Sequence, residues 1–123
     1  DEGGVWPRHC VQHSVGAAIW ESLLVALNES KGGFTLLYKG DSIDKDEYSI
    51  MQSKASASIL ARLVKALKVD QIDICGLAGD ICVLNTAKDI TSTFENIKLN
   101  VLEPYSPSLD GGAALNDFVG SLK

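Results

Sequence analysis

The chain has 123 residues and a formal net charge of -5, from 11 Lys and Arg against 16 Asp and Glu. That balance argues against nucleic acid or an anionic membrane as partner, because both select basic surfaces. Hydrophobic residues make up 46% of the chain, an ordinary share for a globular protein, and the length can enclose a core as a single domain over residues 1–123.

No apolar run is long enough to cross a bilayer as a helix, and no basic-then-apolar leader opens the sequence. Cys10, Cys75 and Cys82 make an odd number of thiols with no CxxC. Free thiols imply a reducing compartment, and the cytoplasm is the expected location.

In chain order, residues 1–14 read as a loop. Val15 to Asn28 reads as a helix, with Val15, Ile19, Leu23 and Leu27 on one face and Ser14 as its cap. Lys31-Gly32-Gly33 ends it. Phe34 to Tyr38 is a short apolar run between glycines, which predicts a buried strand. Lys39 to Lys54 is polar and predicts a loop with one turn at most.

Ser56 to Lys68 predicts an amphipathic helix with Ile59, Leu60, Leu63, Val64 and Leu67 inward. Gln71 to Leu77 predicts a strand, with Cys75 in the core. Cys82 to Phe94 predicts a helix, Ile97 to Leu102 a strand, and Gly111 to Leu122 a last helix capped by Asp110. Helices and strands alternate, which favours a parallel sheet with helices on its faces. Ligands then bind beyond the carboxyl ends of the strands. Those ends are Lys39, the turn from Ala78 to Cys82, and the loop after Leu102.

The turn is the informative stretch. In GLAGDICV, at 76–83, Gly76 and Gly79 permit a tight bend, and Asp80 stands as a helix cap. Cys82 then falls in the first helical turn, where unpaired N–H groups favour a thiolate and could hold an oxyanion. A buried cysteine serving only to pack is the ordinary alternative. Lys39, at the end of the neighbouring expected strand, is either a solvated lysine or a charge partner for that thiolate.

Three stretches together resemble the nicotinamidase/pyrazinamidase branch of the isochorismatase-like hydrolases. They are WPRHCVQHSVGAAI at 6–19, YKGDSIDKDEYSI at 38–50 and GLAGDICVLNTAKD at 76–89. The resemblance implies an α/β fold: a three-layer, doubly wound, mostly parallel, Rossmann-like sheet, its N-terminal strands missing from this chain. It implies amide hydrolysis with Cys82 as nucleophile and Lys39 as the triad lysine. The oxyanion hole falls on the N–H groups of Ala78 and Cys82, next to a cis Leu77-Ala78 peptide. Trp6 matches the aromatic that stacks on the substrate ring. Tyr48 matches a residue near the pocket wall, and Ile81, before Cys82, stands where the family has tyrosine or histidine, which changes that wall. His9 matches one ligand of a divalent metal, with zinc foremost and iron or manganese as alternatives. Neither Cys10 nor His13 is expected to be a ligand.

The family's triad aspartate and its remaining metal ligands have no matching position here, so the chain is expected to be the C-terminal portion of a complete enzyme. Gly79 stands where the family has threonine, which predicts a looser turn. The implied substrate is nicotinamide (or pyrazinamide), hydrolysed to the acid and ammonia in NAD salvage. The implied partners are that small amide and either a homo-oligomer or the missing N-terminal segment. Two alternatives stay open: an N-carbamoyl or ureido amidohydrolase of the same family, and a non-catalytic binding domain.

Overall fold

The computed structural model describes residues 6–122; residues 1–5 of the expected opening loop lie outside the described residues. The chain divides into two compact units, Asp1–Leu36 and Leu37–Lys123.

In the first unit the expected helix is shorter than its pattern. A 3-10 turn occupies Val15–Ala17, and helix α1 runs over Glu21–Glu29. Ser14 does not cap it, because its hydroxyl donates to the Val11 carbonyl instead. Helix α1 has no buried residue, and of its apolar side chains Leu27 alone is half-buried.

The second unit holds helix α2 (Lys54–Leu67), strand β1 (Gln71–Ile74), helix α3 (Leu84–Thr93), strand β2 (Lys98–Val101) and helix α4 (Ala113–Ser121). Strands β1 and β2 pair in parallel, from Gln71 opposite Lys98 to Ile74 opposite Val101. Parallel neighbours need a crossover, and α3 supplies it. From helix α2 onward, the alternation read from the sequence is therefore the observed topology.

Residues 34–38 are a correction, since they form no strand in the structure. A strand needs a ladder partner for its polar backbone. At Tyr38 one side chain serves instead: the N–H donates to Ser56 Oγ at 3.0 Å, and the same hydroxyl donates to the Tyr38 carbonyl.

Helix α2 begins where Ser53 accepts from the Ser56 N–H. It ends at Lys68, whose φ of 53° turns the chain left-handed while the Val69 N–H reaches back to the Val64 carbonyl at 3.0 Å. Its inward face is narrower than expected: Val64 is buried, but Leu67 is 71% exposed.

The core gathers Val83, Leu84 and Ala87 of the α3 segment, Val101 of β2 and Leu115 of α4, with Ile74, Leu99 and Phe118 packed around them. It lies on one face of the sheet. The other face is polar, and there Asn100 Nδ2 donates to Asp73 Oδ1 at 3.0 Å. Cys75 is exposed, which corrects its expected place in the core. Strand side chains alternate, so Cys75 points away from Ile72 and Ile74.

Helix α4 is entered through Gly111 and Gly112, with φ of 76° and 94°. The Asp110 carboxylate caps it by accepting from the N–H groups of Gly112 at 2.8 Å and Ala114 at 2.9 Å. The Ala114 bond, then the Gly112 bond, holds the Asp110 carboxyl below its ordinary pKa. A carboxyl whose folded-state pKa is depressed contributes stability above its unfolded pKa and loses it as pH falls through the folded value. Asp110→Ala should therefore lower Tm at neutral pH, with the deficit shrinking as the medium is acidified to about pH 2. Thermal unfolding followed by circular dichroism checks this, and a deficit that stays constant with pH would refute it.

Candidate active site

Beyond the end of β1 the chain turns back into α3. Gly76 takes a φ of 136°, and the Leu77-Ala78 peptide is cis, as the resemblance implies. Ala78 is extended and precedes a π turn over Gly79–Val83 that runs directly into α3. The Ala78 carbonyl closes this turn by accepting from the N–H groups of Ile81 at 3.2 Å and Val83 at 3.0 Å. Cys82 thus sits in a widened π turn at the helix entrance, where the sequence predicts a regular α-helical turn. Its side chain is half-buried.

The loop after β2 grips this turn. Gly76 N–H donates to the Tyr105 carbonyl at 3.2 Å, and Gly79 N–H to the Pro107 carbonyl at 2.9 Å. Asp80 is not the helix cap its position suggests. Its carboxylate accepts from the N–H groups of Leu109 at 3.1 Å and Asp110 at 3.0 Å, and so ties the two loops together. Gly79 is buried, and a Cβ there would fall on the Ser106 carbonyl oxygen and the Ser108 hydroxyl. The glycine does not loosen the turn as expected; it allows the two backbones to meet.

Lys39 belongs to the same unit. Its Nζ donates to the main-chain carbonyl of Glu47 at 2.9 Å. Tyr48 is half-buried, and its hydroxyl donates to Asp46 Oδ2 at 3.2 Å. Ser49 and Gln52 form a capping box around a 3-10 turn at Ile50–Gln52. The Ile50 N–H then donates to Thr86 Oγ1 at 3.3 Å, which attaches this loop to α3. Ile81 is half-buried, and its carbonyl accepts from Asn85 Nδ2 at 2.7 Å. Lys39, Tyr48, Ala78, Ile81 and Cys82 are thus all held by the second unit.

Trp6 and His9 lie in the first unit and are exposed. His9 Nδ1 donates to the Pro7 carbonyl at 2.7 Å. A carbonyl can only accept, so the proton is on Nδ1 and Nε2 is the nitrogen suited to a metal. One such nitrogen is not a metal site, which takes about three or four protein ligands. Among the described residues no three His, Cys, Asp or Glu side chains converge on a common point. The donor set here does not fit a complete metal centre. His13, exposed and with a φ of 62°, adds nothing to that set.

A surface hollow of about 400 Å³ is lined by Pro104, Ser106, Ser108, Gly112, Leu115 and Asn116 among others. It includes none of Trp6, His9, Lys39, Tyr48, Ala78, Ile81 and Cys82, and brings no nucleophile together with a charge partner. Chemistry rather than concavity locates the candidate site. Three residues of the site's framework escape sequence reasoning: Glu47, Ser56 and Thr86. Only Ser49-x-x-Gln52, a capping-box pattern, was there to be read.

No family model matches the chain. It is 31% identical over 93 residues to the nicotinamidase/pyrazinamidase of Mycobacterium tuberculosis, covering 72% of this chain and 45% of that protein. It is 29% identical over 99 residues to the nicotinamidase of Escherichia coli, covering 79% and 43% respectively. The chain thus spans less than half the length of these curated relatives. Two crystal structures of the Bacillus subtilis nicotinamidase superpose with TM-scores of 0.67 and 0.70 at 19% identity, covering 95% and 96% of this chain and 60% and 61% of theirs.

The fold is the α/β fold of the isochorismatase-like hydrolases. The chain belongs to that family, and the relatives it matches within it are nicotinamidases.

The meeting of backbones at Gly79 has a measurable consequence. Gly79→Ala should destabilise the protein by about 1–3 kcal/mol, the usual cost of forcing atoms into filled space. Gly120→Ala, inside α4 with no neighbour within 4 Å of the new methyl, should instead stabilise it by about 0.5–1 kcal/mol. Urea denaturation midpoints of the two variants check the opposite signs, and an unchanged midpoint for Gly79→Ala would refute the close approach.

Proposed function

We propose that the protein is an amidohydrolase that converts nicotinamide, and pyrazinamide, to the acid and ammonia. Cys82 is the nucleophile. Its position carries the reading: a half-buried thiol at the entrance of α3, beyond the carboxyl end of a parallel strand, on the helix to which the Lys39 loop is attached. Parallel sheets of this kind present their reactive groups at that edge.

In this mechanism the Cys82 sulfur attacks the carboxamide carbon, and the carbonyl π pair moves onto oxygen. The N–H groups of Ala78 and Cys82 receive that oxyanion. The oxyanion collapses, the C–N bond breaks, and the nitrogen leaves as ammonia with the proton the thiol gave up. Water then cleaves the thioester, releasing the carboxylic acid and restoring the thiol. The Lys39 ammonium steadies the thiolate and the developing negative charge. The family resemblance supports Trp6 as the aromatic that stacks on a pyridine ring, and Tyr48 and Ile81 as residues that face the substrate. No matched residue here supplies the carboxylate that carries the proton.

By the family resemblance His9 would be one ligand of a divalent metal, zinc foremost, and a complete centre takes about three or four such ligands. The family resemblance further supports a place in NAD salvage and a cytoplasmic location. Among the described residues no helix is long and apolar enough to cross a membrane.

Incubating the protein with nicotinamide and zinc should release ammonia in an enzyme-coupled assay. Cys82→Ala should reduce the rate on the order of 10³-fold or more, as loss of a covalent nucleophile does. Undiminished release from Cys82→Ala would remove the proposed chemistry, and no release from the unaltered protein would favour a binding role.

A further inference from the structure

Lys39 is held at both ends by one residue. Its Nζ donates to the main-chain carbonyl of Glu47 at 2.9 Å. The Glu47 carboxylate turns back and accepts from the N–H groups of Gly40 at 2.7 Å and Asp41 at 3.3 Å. The carbonyl therefore orients the ammonium, while the carboxylate fixes the backbone immediately after it. Gly40 takes a φ of 84°, a conformation that suits glycine, so the sequence Lys-Gly serves this ring.

Glu47 is only 8% exposed. Carboxylates are rarely taken out of water unless donors compensate them, and here two backbone N–H groups do so. Three residues later the Ile50 N–H donates to Thr86 Oγ1, four residues after Cys82 on the same helical segment. An ammonium has three N–H bonds, and committing one to the Glu47 carbonyl sets the direction of the other two.

We propose that Glu47 is the positioning residue for Lys39: it fixes where the ammonium stands relative to the Cys82 thiol, acting through the loop backbone without touching substrate. This rests on the reading of Cys82 as nucleophile and Lys39 as its charge partner.

The test needs no substrate. The protein is treated with iodoacetamide at neutral pH, and modification of Cys82 is followed by peptide mass spectrometry. The exposed Cys10 and Cys75 serve as internal references. Lys39→Met should slow Cys82 alkylation about fivefold or more, since the thiolate is the reacting species. Glu47→Ala should slow it to a similar degree, and the double variant should be no slower than Lys39→Met, because coupled residues are non-additive. Glu47→Gln keeps an acceptor for the Gly40 N–H and should stay within about twofold of the unaltered protein.

If Glu47 only braced the loop, its removal would open the loop and speed Cys82 alkylation, and that result overturns the proposal. An unchanged rate in Glu47→Ala beside a slowed Lys39→Met overturns it too, and leaves the reading of Lys39 intact. An unchanged rate in Lys39→Met overturns both. Should Glu47→Ala lose its folded circular dichroism spectrum, Glu47→Asp carries the same test, because its shorter side chain withdraws the carboxylate from Gly40.

Discussion

The turn that carries Cys82 is held from outside itself. Gly76 and Gly79 give their N–H groups to the carbonyls of Tyr105 and Pro107, and Asp80 takes the N–H groups of Leu109 and Asp110. These bonds satisfy backbone groups that would otherwise cost about 1–3 kcal/mol each if buried unpaired. They exist because β1 and β2 run parallel. Parallel strands end at the same edge, so the loop leaving β2 arrives beside the turn leaving β1. The pairing of two four-residue strands thus decides where the thiol can stand.

The same constraint explains which parts of the fold could be read from the chain. Alternating helices and strands predict the parallel pair because crossover topology follows from element order alone. Phe34 to Tyr38 has an equally good strand pattern, yet a pattern supplies no hydrogen-bond partner. Tyr38 finds one in the Ser56 hydroxyl, 18 residues away. Cys75 shows the other limit. Its alternation with Ile72 and Ile74 is plain in the sequence, but which face of the sheet is covered is a property of the packing. The covered face proved to be the opposite one.

At the site, local features were legible and the ties between loops were not. The glycines and cysteine of GLAGDICV mark a strand–turn–helix junction through short-range chemistry, and the junction is there. Asp80 and Asp110 both precede helices and look alike as caps. Asp110 does cap its own helix, with one bond to Gly112 just before it and one to Ala114 in its first turn. Asp80 instead binds the residues leading to the next helix, 29 and 30 positions on. An aspartate before a helix offers oxygens to any nearby N–H group, and tertiary structure chooses among them. Glu47 left no trace in the sequence, because its partners are backbone amides that every residue possesses.

Helix α3 is where these ties converge. Cys82 stands in its entrance turn, and Thr86, four residues later, receives the Ile50 N–H. A separation of four spans about one helical turn. The hydroxyl that anchors the loop of Lys39 and Glu47 therefore stands about one turn along the chain from the thiol. The strap from the β2 loop reaches the same entrance through Gly79 and Asp80. A nucleophile needs its charge partner and its oxyanion donors fixed with respect to one another more than it needs a deep cavity. In the mechanism proposed for this site, one helix and its entrance would set all three: the Ala78 carbonyl closes the π turn that carries Cys82, and Thr86, in the first turn of α3, receives the segment that follows Lys39.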